Sequence, residues 1–92
     1  MSNKISSYVG LAQRCNSVRY GEDAITERLK VMKVVLIDCS APEKFKLRLK
    51  AECGDVPSFE VENLKEMTHR EQVQAIGVTN AELAKAIIEQ LR

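Results

Sequence analysis

Two short segments near the start of this 92-residue chain carry residue types suited to contact with a phosphate. Both begin with glycine: Gly10-Leu11-Ala12-Gln13-Arg14 and, seven positions after Arg14, Gly21-Glu22-Asp23. Glycine lets another backbone approach closely, and the first turn of a helix leaves four N–H groups without intrahelical partners. If a helix begins at Gly21, those donors and the positive end of the helix dipole would form a phosphate-binding site. The same glycine would also serve a tight strand-to-helix turn that binds nothing.

Basic residues surround these segments in the sequence. Four of them are expected near the proposed helix start as phosphate partners: Arg14, Arg19, Arg28 and Lys33. A second basic run, residues 44–50, alternates charged and apolar residues. On a helix, alternate residues point about 200° apart, so its basic side chains do not share one face. We therefore predict that its basic side chains, Lys44, Lys46, Arg48 and Lys50, are ordinary solvated surface.

Composition limits the class of protein. Ninety-two residues, 45% hydrophobic and 29% charged, predict one soluble globular domain spanning residues 1–92. Two Tyr, two Phe and no Trp argue against a single-strand binder built on stacked aromatics. Residues 1–50 hold ten Lys and Arg against five Asp and Glu, whereas residues 51–92 hold four against eight. This asymmetry predicts one basic and one acidic surface, although the net charge of +1 is far from that of a nonspecific nucleic-acid binder.

Several kinds of site are not supported. The three cysteines, Cys15, Cys39 and Cys53, form no CxxC, and there is one histidine, so we predict neither disulfides nor a metal or cofactor site. Buried thiols in a reducing cytoplasm are expected instead. Cys39 with His69 as its base would be a nucleophile pair, but nothing in the sequence places them together, and we expect no catalysis. No apolar run is long enough for a signal peptide or membrane span, which favours a cytoplasmic protein.

Helical and strand patterns alternate along the chain. Ile5, Tyr8, Val9 and Ala12 have the spacing of an amphipathic helix. A short strand is predicted over residues 17–20, a helix from Gly21, and a central strand over residues 33–37, whose aliphatic run is typical of burial on both faces.

The second half continues the alternation. Ser40-Ala41-Pro42-Glu43 predicts a capping box and a helix that ends at Gly54. A short strand near residues 56–61, a short helix from Asn63, a strand over residues 72–78 and a final helix capped by Thr79-Asn80-Ala81-Glu82 follow. The predicted fold is a three-layer α/β/α sandwich with a mixed sheet of about four strands.

The order of these segments resembles the kink-turn RNA-binding ribosomal protein superfamily: the archaeal large-subunit "seven-Ae" type, the eukaryotic "thirty-e" type and, closest, the small bacterial YlxQ-like branch. The resemblance covers nearly the whole chain. Besides the two glycine segments, it is carried by these anchors: the strand over residues 34–37 with Asp38-Cys39-Ser40, Cys53 with Val56-Pro57, Ala75-Ile76-Gly77-Val78-Thr79-Asn80, and Leu83-Ala84-Lys85-Ala86.

The resemblance implies a non-catalytic RNA-binding protein, associated with the ribosome or another ribonucleoprotein. In such proteins the start of the second helix enters the widened groove of a bent RNA, and two loops hold an extruded nucleotide. These contacts would fall on Gly21, Glu22 and Asp23, on Cys39 and Ser40, and on His69 and Arg70.

Three positions depart from the family pattern at that helix. Asp23 and Ala24 stand where the archaeal form has Asn and Glu, and Glu27 stands where the family has a phosphate-binding Lys. A carboxylate there repels phosphate. The alternative is therefore a divergent member that has lost kink-turn binding and acts as a protein-interaction module, with its acidic half facing a basic partner.

Overall fold

The computed structural model describes residues 3–91 as alternating helices and strands. The elements, in chain order, are α1 (Asn3–Arg14), β1 (Val18–Tyr20), α2 (Glu22–Glu27), a single 3-10 turn (Leu29–Val31), β2 (Val34–Asp38), α3 (Glu43–Cys53), β3 (Ser58–Val61), α4 (Leu64–Thr68), β4 (Ala75–Val78) and α5 (Ala81–Leu91).

The four strands form one mixed sheet in the order β1-β4-β2-β3. β2 runs parallel to β3, whereas β4 is antiparallel to both β2 and β1. Val78 is paired with Val34 on one side and with Val18 on the other. All five residues of β2 are buried, which confirms the interior strand predicted from the aliphatic run.

A separate apolar core lies on each face of the sheet. On one face, Val34, Leu36, Ile76 and Val78 pack with side chains of α1, α4 and α5. On the other face, Val35, Ile37 and Ala75 pack with side chains of α2 and α3. Successive strand residues point to opposite faces, so one short sheet serves both cores. The three-layer α/β/α sandwich is thus confirmed.

The helix ends differ in detail from the predicted caps. Ser40 does not cap α3, because its N–H and its hydroxyl both donate to Asp38 Oδ1, each at 2.9 Å. The helix starts at Glu43, after Pro42, with no side-chain cap from that residue. Gly54 ends α3 with a φ of +57°, as predicted. The predicted capping box is wrong because α3 begins after Pro42, which leaves Ser40 two residues before the N-cap position.

Two further boundaries are corrected. At α5 the cap is Asn80, whose Oδ1 accepts the Leu83 N–H at 2.9 Å, while the Thr79 hydroxyl donates to Ser17 O at 3.3 Å. β4 begins at Ala75, three residues later than predicted. Residues 72–74 belong instead to the loop between α4 and β4, which brings them to the candidate site.

Candidate nucleic-acid interface

Four connecting segments meet at one end of the sheet, where β1, β2 and β3 finish and β4 begins. We call this the loop end. There the Gly21 N–H donates to Ala75 O at 2.9 Å, the Asp38 N–H to Gln74 O at 2.8 Å, and the Cys39 N–H to Val61 O at 2.9 Å. These bonds extend the sheet beyond its strands and fix the loops relative to one another.

Gly21 makes the turn from β1 into α2. Its φ of +88° and ψ of 160° lie in a region open essentially to glycine alone. A Cβ built on this residue would meet nothing within 4 Å, so the space in front of the backbone is open. No side chain caps this helix start. The predicted dipole contribution is nevertheless small, because α2 has only six residues and the macrodipole is a sum over aligned peptides.

The charge at the start of α2 is partly neutralised from α3. Arg48 donates two hydrogen bonds to the Glu22 carboxylate: Nε to Oε2 at 2.7 Å, and a terminal guanidinium nitrogen to Oε1 at 2.8 Å. The Arg48 hydrogen bond, followed by one with Glu52, holds the pKa of Glu22 below its usual value. The hydrogen bond with Glu22 raises the pKa of Glu52. Asp23 is exposed.

A guanidinium–aromatic stack stands beside Gly21. The Arg70 guanidinium lies 3.9 Å from the centre of the Tyr20 ring. The Tyr20 hydroxyl accepts a hydrogen bond from Gln13 Nε2 at 3.0 Å, and the same nitrogen donates to Thr68 O at 2.9 Å. Arg70 was predicted from the family resemblance. Tyr20 and Gln13 are not among the predicted site residues, although Gln13 lies within the first glycine segment, residues 10–14.

This stack borders a cavity of about 320 Å³ at the loop end. Its lining combines apolar Phe45 and Val73 with polar Arg70, Gln72 and Gln74. Its volume lies at the lower end of the roughly 300–1,000 Å³ typical of ligand pockets, which also combine apolar walls with a few polar groups. The cavity is suited to one flat group with a polar edge.

The loop after β2 holds Cys39 and Ser40 and is fixed by a buried amine. Lys46 Nζ lies 3.1 Å from Cys39 O and 3.2 Å from Glu60 Oε1. The Glu60 hydrogen bond is the main cause that raises the pKa of Lys46. The prediction that the basic side chains of residues 44–50 are solvated is therefore wrong for Lys46. Its charge is tolerated in a buried position because it is paired and hydrogen-bonded.

The other predicted loop residues separate into two places. Cys39 and Ser40 line a second cavity of about 370 Å³ with Glu62 and Glu66, distinct from the cavity at Gly21. His69 is exposed and adopts the left-handed conformation, with a φ of +59°, directly after α4. It turns the chain towards Arg70.

The remaining basic candidates lie at the opposite end of the sheet, which we call the far end. Arg14 ends α1 just before β1, and Arg28 follows the last turn of α2. Arg19 donates to Asn16 O at 3.2 Å and to Val18 O at 3.0 Å, at the start of β1. The Lys33 N–H donates to Val78 O at 2.8 Å.

The expectation that these residues lie near Gly21 is therefore wrong for Arg14, Arg28 and Lys33. Arg19 is the middle residue of β1, but its guanidinium is directed to the start of the strand and away from Gly21. Gly21 follows the end of β1, and the chain must return along the sheet before β2 can begin. Proximity in sequence thus placed them at the wrong end of the molecule.

Other expectations concern thiols, metals and membranes. Cys53 is buried, but Cys15 and Cys39 are exposed, so the prediction of buried thiols is wrong for those two. Within residues 3–91, no group of three or more His, Cys, Asp or Glu could hold a metal ion. None of the helices in the same range has the length and apolar character needed to cross a membrane.

The fold is shared with solved structures. It is similar to a protein of unknown function from Bacillus halodurans, with a TM-score of 0.88, 23% identity and 96% of each chain covered. It is also similar to a 15.5 kD RNA binding protein from Giardia lamblia, with a TM-score of 0.78, 13% identity, and 98% of this chain and 89% of that chain covered. No family model and no curated protein matches the sequence. At these identities, the likeness establishes the fold.

Proposed function

We propose that this protein binds structured RNA at the loop end, in a kink-turn or a similarly bent helix, and does so without catalysis. One observation carries the proposal: the loop end presents an open glycine turn beside the Tyr20–Arg70 stack, in a fold shared with an RNA binding protein from Giardia lamblia. We propose further that it acts in the cytoplasm as part of a ribonucleoprotein such as the ribosome.

The turn at Gly21 would enter the groove of the RNA. The space in front of its backbone is open, and no side chain caps the helix that follows. Backbone N–H groups at such a turn can donate to phosphate or base-edge acceptors. A bent RNA with a widened groove admits this turn, whereas the deep, narrow major groove of a regular RNA duplex does not.

The cavity beside Gly21 would take an unstacked base. Arg70 offers a guanidinium plane on which a base can stack. Gln72 and Gln74 line the same cavity, and each amide can both donate and accept hydrogen bonds. Unpaired bases are recognised in this way, by stacking and by bonds along their edges.

The electrostatics of the loop end predict few phosphate contacts. Arg48 neutralises Glu22, but Asp23 and Glu27 are exposed acids on α2. Affinity would then depend more on shape and stacking than on counterion release, and its dependence on salt should be shallow.

The test is a titration of a standard kink-turn RNA at 50 and 200 mM salt, with competition by a regular RNA duplex of the same length. We expect binding that the duplex does not compete away and that weakens only modestly with salt. Absence of binding to the kink-turn at low salt, or equal competition by the duplex, contradicts the proposal. A melting curve recorded on the same sample establishes that the protein is folded.

A second candidate function has its own observation. The cavity at Cys39 and Ser40 is lined by three acidic residues, Asp38, Glu62 and Glu66, and by one basic residue, Lys65. This net acidic lining would attract a basic protein surface rather than RNA. Under this alternative the chain is a protein-interaction module. Loss of kink-turn binding together with salt-sensitive binding of a Lys- and Arg-rich peptide would favour it.

A further inference from the structure

We infer that Gln13 and Tyr20 are positioning residues that hold Arg70 at the rim of the cavity beside Gly21. The inference rests on the proposed function, because it assigns these residues a role in presenting Arg70 to RNA. Both lie outside the contacts that the sequence predicted.

The Gln13 side chain joins three elements. It extends from α1, and its Nε2 donates to the Tyr20 hydroxyl of β1 at 3.0 Å and to the Thr68 carbonyl at the end of α4 at 2.9 Å. An amide nitrogen has two protons to donate, so both are used. Thr68 is itself buried. The bond therefore anchors the last residue of α4, from which the following loop departs.

The chain is held at consecutive positions as it leaves α4. The Thr68 hydroxyl donates to Leu64 O at 2.9 Å, His69 takes the left-handed conformation, and the Arg70 N–H donates to Lys65 O at 3.1 Å. The backbone of Arg70 is thus fixed with respect to α4, and α4 is fixed to α1 by Gln13.

The Tyr20 ring then selects a side-chain position for Arg70. A free arginine side chain samples many rotamers, and ordering it opposes binding. Stacking at 3.9 Å on the Tyr20 ring favours one arrangement before any ligand arrives. Because one face of the guanidinium covers the ring while Arg70 lines the cavity, a base can use the other face. Gln13 in turn fixes the Tyr20 ring through its hydroxyl.

The arrangement separates positioning from contact. Neither Gln13 nor Thr68 lines the cavity, while Tyr20 and Arg70 both do. A change at Gln13 should therefore act on RNA through the Tyr20–Arg70 stack, and it should have little effect when Arg70 is already absent.

The first measurement uses the free protein. Protons of Arg70 stacked on an aromatic ring show an upfield ring-current shift in NMR spectra. We expect Tyr20→Leu to abolish that shift. Gln13→Met, which keeps the side-chain length without the donor, should reduce it, and Tyr20→Phe, which keeps the ring but loses the bond to Gln13, should reduce it to a smaller extent. A wild-type shift in Gln13→Met overturns the inference, whether or not the protein binds RNA. Thermal melting identifies any variant that fails to fold, and Tyr20→Phe supplies a milder test of the same bond.

The second measurement is a double-mutant cycle on kink-turn affinity. Tyr20→Leu should weaken binding about fivefold, and Gln13→Met about two- to threefold, as expected for loss of an exposed cation–π contact. In an Arg70→Gln background, Gln13→Met should change affinity by less than about 1.5-fold. A purely structural role would weaken binding equally in both backgrounds and would overturn the inference. If the wild type itself does not bind, the proposed function fails, and the NMR shifts alone decide whether Gln13 positions Arg70.

Discussion

The two ends of the sheet carry charge in different ways. At the loop end several charged side chains have partners: Arg48 pairs with Glu22, Lys46 contacts Glu60, and Arg70 stacks on Tyr20. At the far end, Arg28 and Lys33 are exposed and, within residues 3–91, take part in no ion pair. The two cations at the far end are thus exposed and unpaired, whereas ion pairs and stacking hold the charged side chains named at the loop end.

The difference shows that basic residues alone do not locate a binding site. Exposed, unpaired cations attract any polyanion and carry no sequence information. Ion pairs that join helices to loops fix the positions of backbone turns and of single side chains, as specific recognition requires. Under the proposed function, specific recognition would therefore take place at the loop end. Variants matched between the two ends test this.

The largest expected effect is on stability, at the glycine turns of the two ends. Gly21 lies at the loop end and Gly54 at the far end, and both have positive φ. Gly21→Ala and Gly54→Ala should each cost about 1–3 kcal/mol in the free energy of unfolding, because a Cβ disfavours these conformations. Urea unfolding measures both costs. Gly10→Ala, in a helix with nothing within 4 Å of the new Cβ, should instead stabilise by about 0.5–1 kcal/mol.

The same pair of variants distinguishes the ends in function. Gly21→Ala should weaken kink-turn binding under conditions in which the variant is still folded, because the substitution alters the turn that would enter the groove of the RNA. Gly54→Ala should leave the kink-turn affinity within about twofold of the wild-type value, although it loses as much stability as Gly21→Ala. Equal effects of the two variants on RNA affinity would remove the distinction between the ends.

A smaller effect is expected from removing one arginine at each end. Arg70→Gln should weaken kink-turn binding about tenfold, within the roughly 1–3 kcal/mol attributed to stacking of one base. Arg14→Gln removes the same charge at the far end and should change affinity by less than about twofold. Isothermal titration at two salt concentrations measures both. A larger loss for Arg14→Gln would move the RNA site to the far end.

A still smaller gain is expected from reversing one charge on α2. Glu27→Lys should strengthen kink-turn binding about threefold, because it replaces repulsion by attraction next to phosphate. Glu89→Lys, an equal reversal at an exposed position of α5, serves as the control for a general increase in net charge. Unchanged affinity in Glu27→Lys would show that α2 does not face the RNA.

Much of the fold could be predicted because it depends on local patterns. The aliphatic run of β2 and the amphipathic stripe of α1 are periodicities that short segments reveal. The predicted caps at Ser40 and Thr79 failed because each helix begins later than the spacing indicates, α3 after Pro42 and α5 after Asn80. Local spacing does not fix the first residue of a helix.

The candidate site could be predicted only in part, because it is assembled from distant segments. Gly21 and Arg70 followed from a resemblance along the chain. The bond from Gln13 to Thr68 joins residues 55 positions apart, and the burial of Lys46 depends on Glu60 of another element. The misplacement of Lys33 has the same origin, since its position depends on where the chain turns back. Pairings of this kind follow from topology and leave no periodic signal in a single sequence.

The smallest expected effect is on the pH dependence of stability, through the ion pairs that Glu60 forms at the loop end. Hydrogen bonds from Lys50, then Lys46, hold the pKa of Glu60 below its usual value. A lowered carboxylate pKa in the folded state stabilises the protein above the unfolded pKa, and that stabilisation is lost as the pH falls through the folded value.

The difference in unfolding free energy between wild type and Glu60→Gln should therefore be constant from neutral pH down to the usual range of glutamate and should shrink below it. Denaturant titrations at a series of pH values measure this difference, and Glu89→Gln provides the baseline for a glutamate without an ion pair within residues 3–91. Because the Lys46 ammonium that contacts Glu60 also contacts Cys39 O, the protection of the amides at residues 39–41, corrected for the intrinsic pH dependence of exchange, should fall over the same acidic interval. A difference that grows on acidification would have the wrong sign for a paired carboxylate, and the loop end would then lack the electrostatic bracing that distinguishes it from the far end.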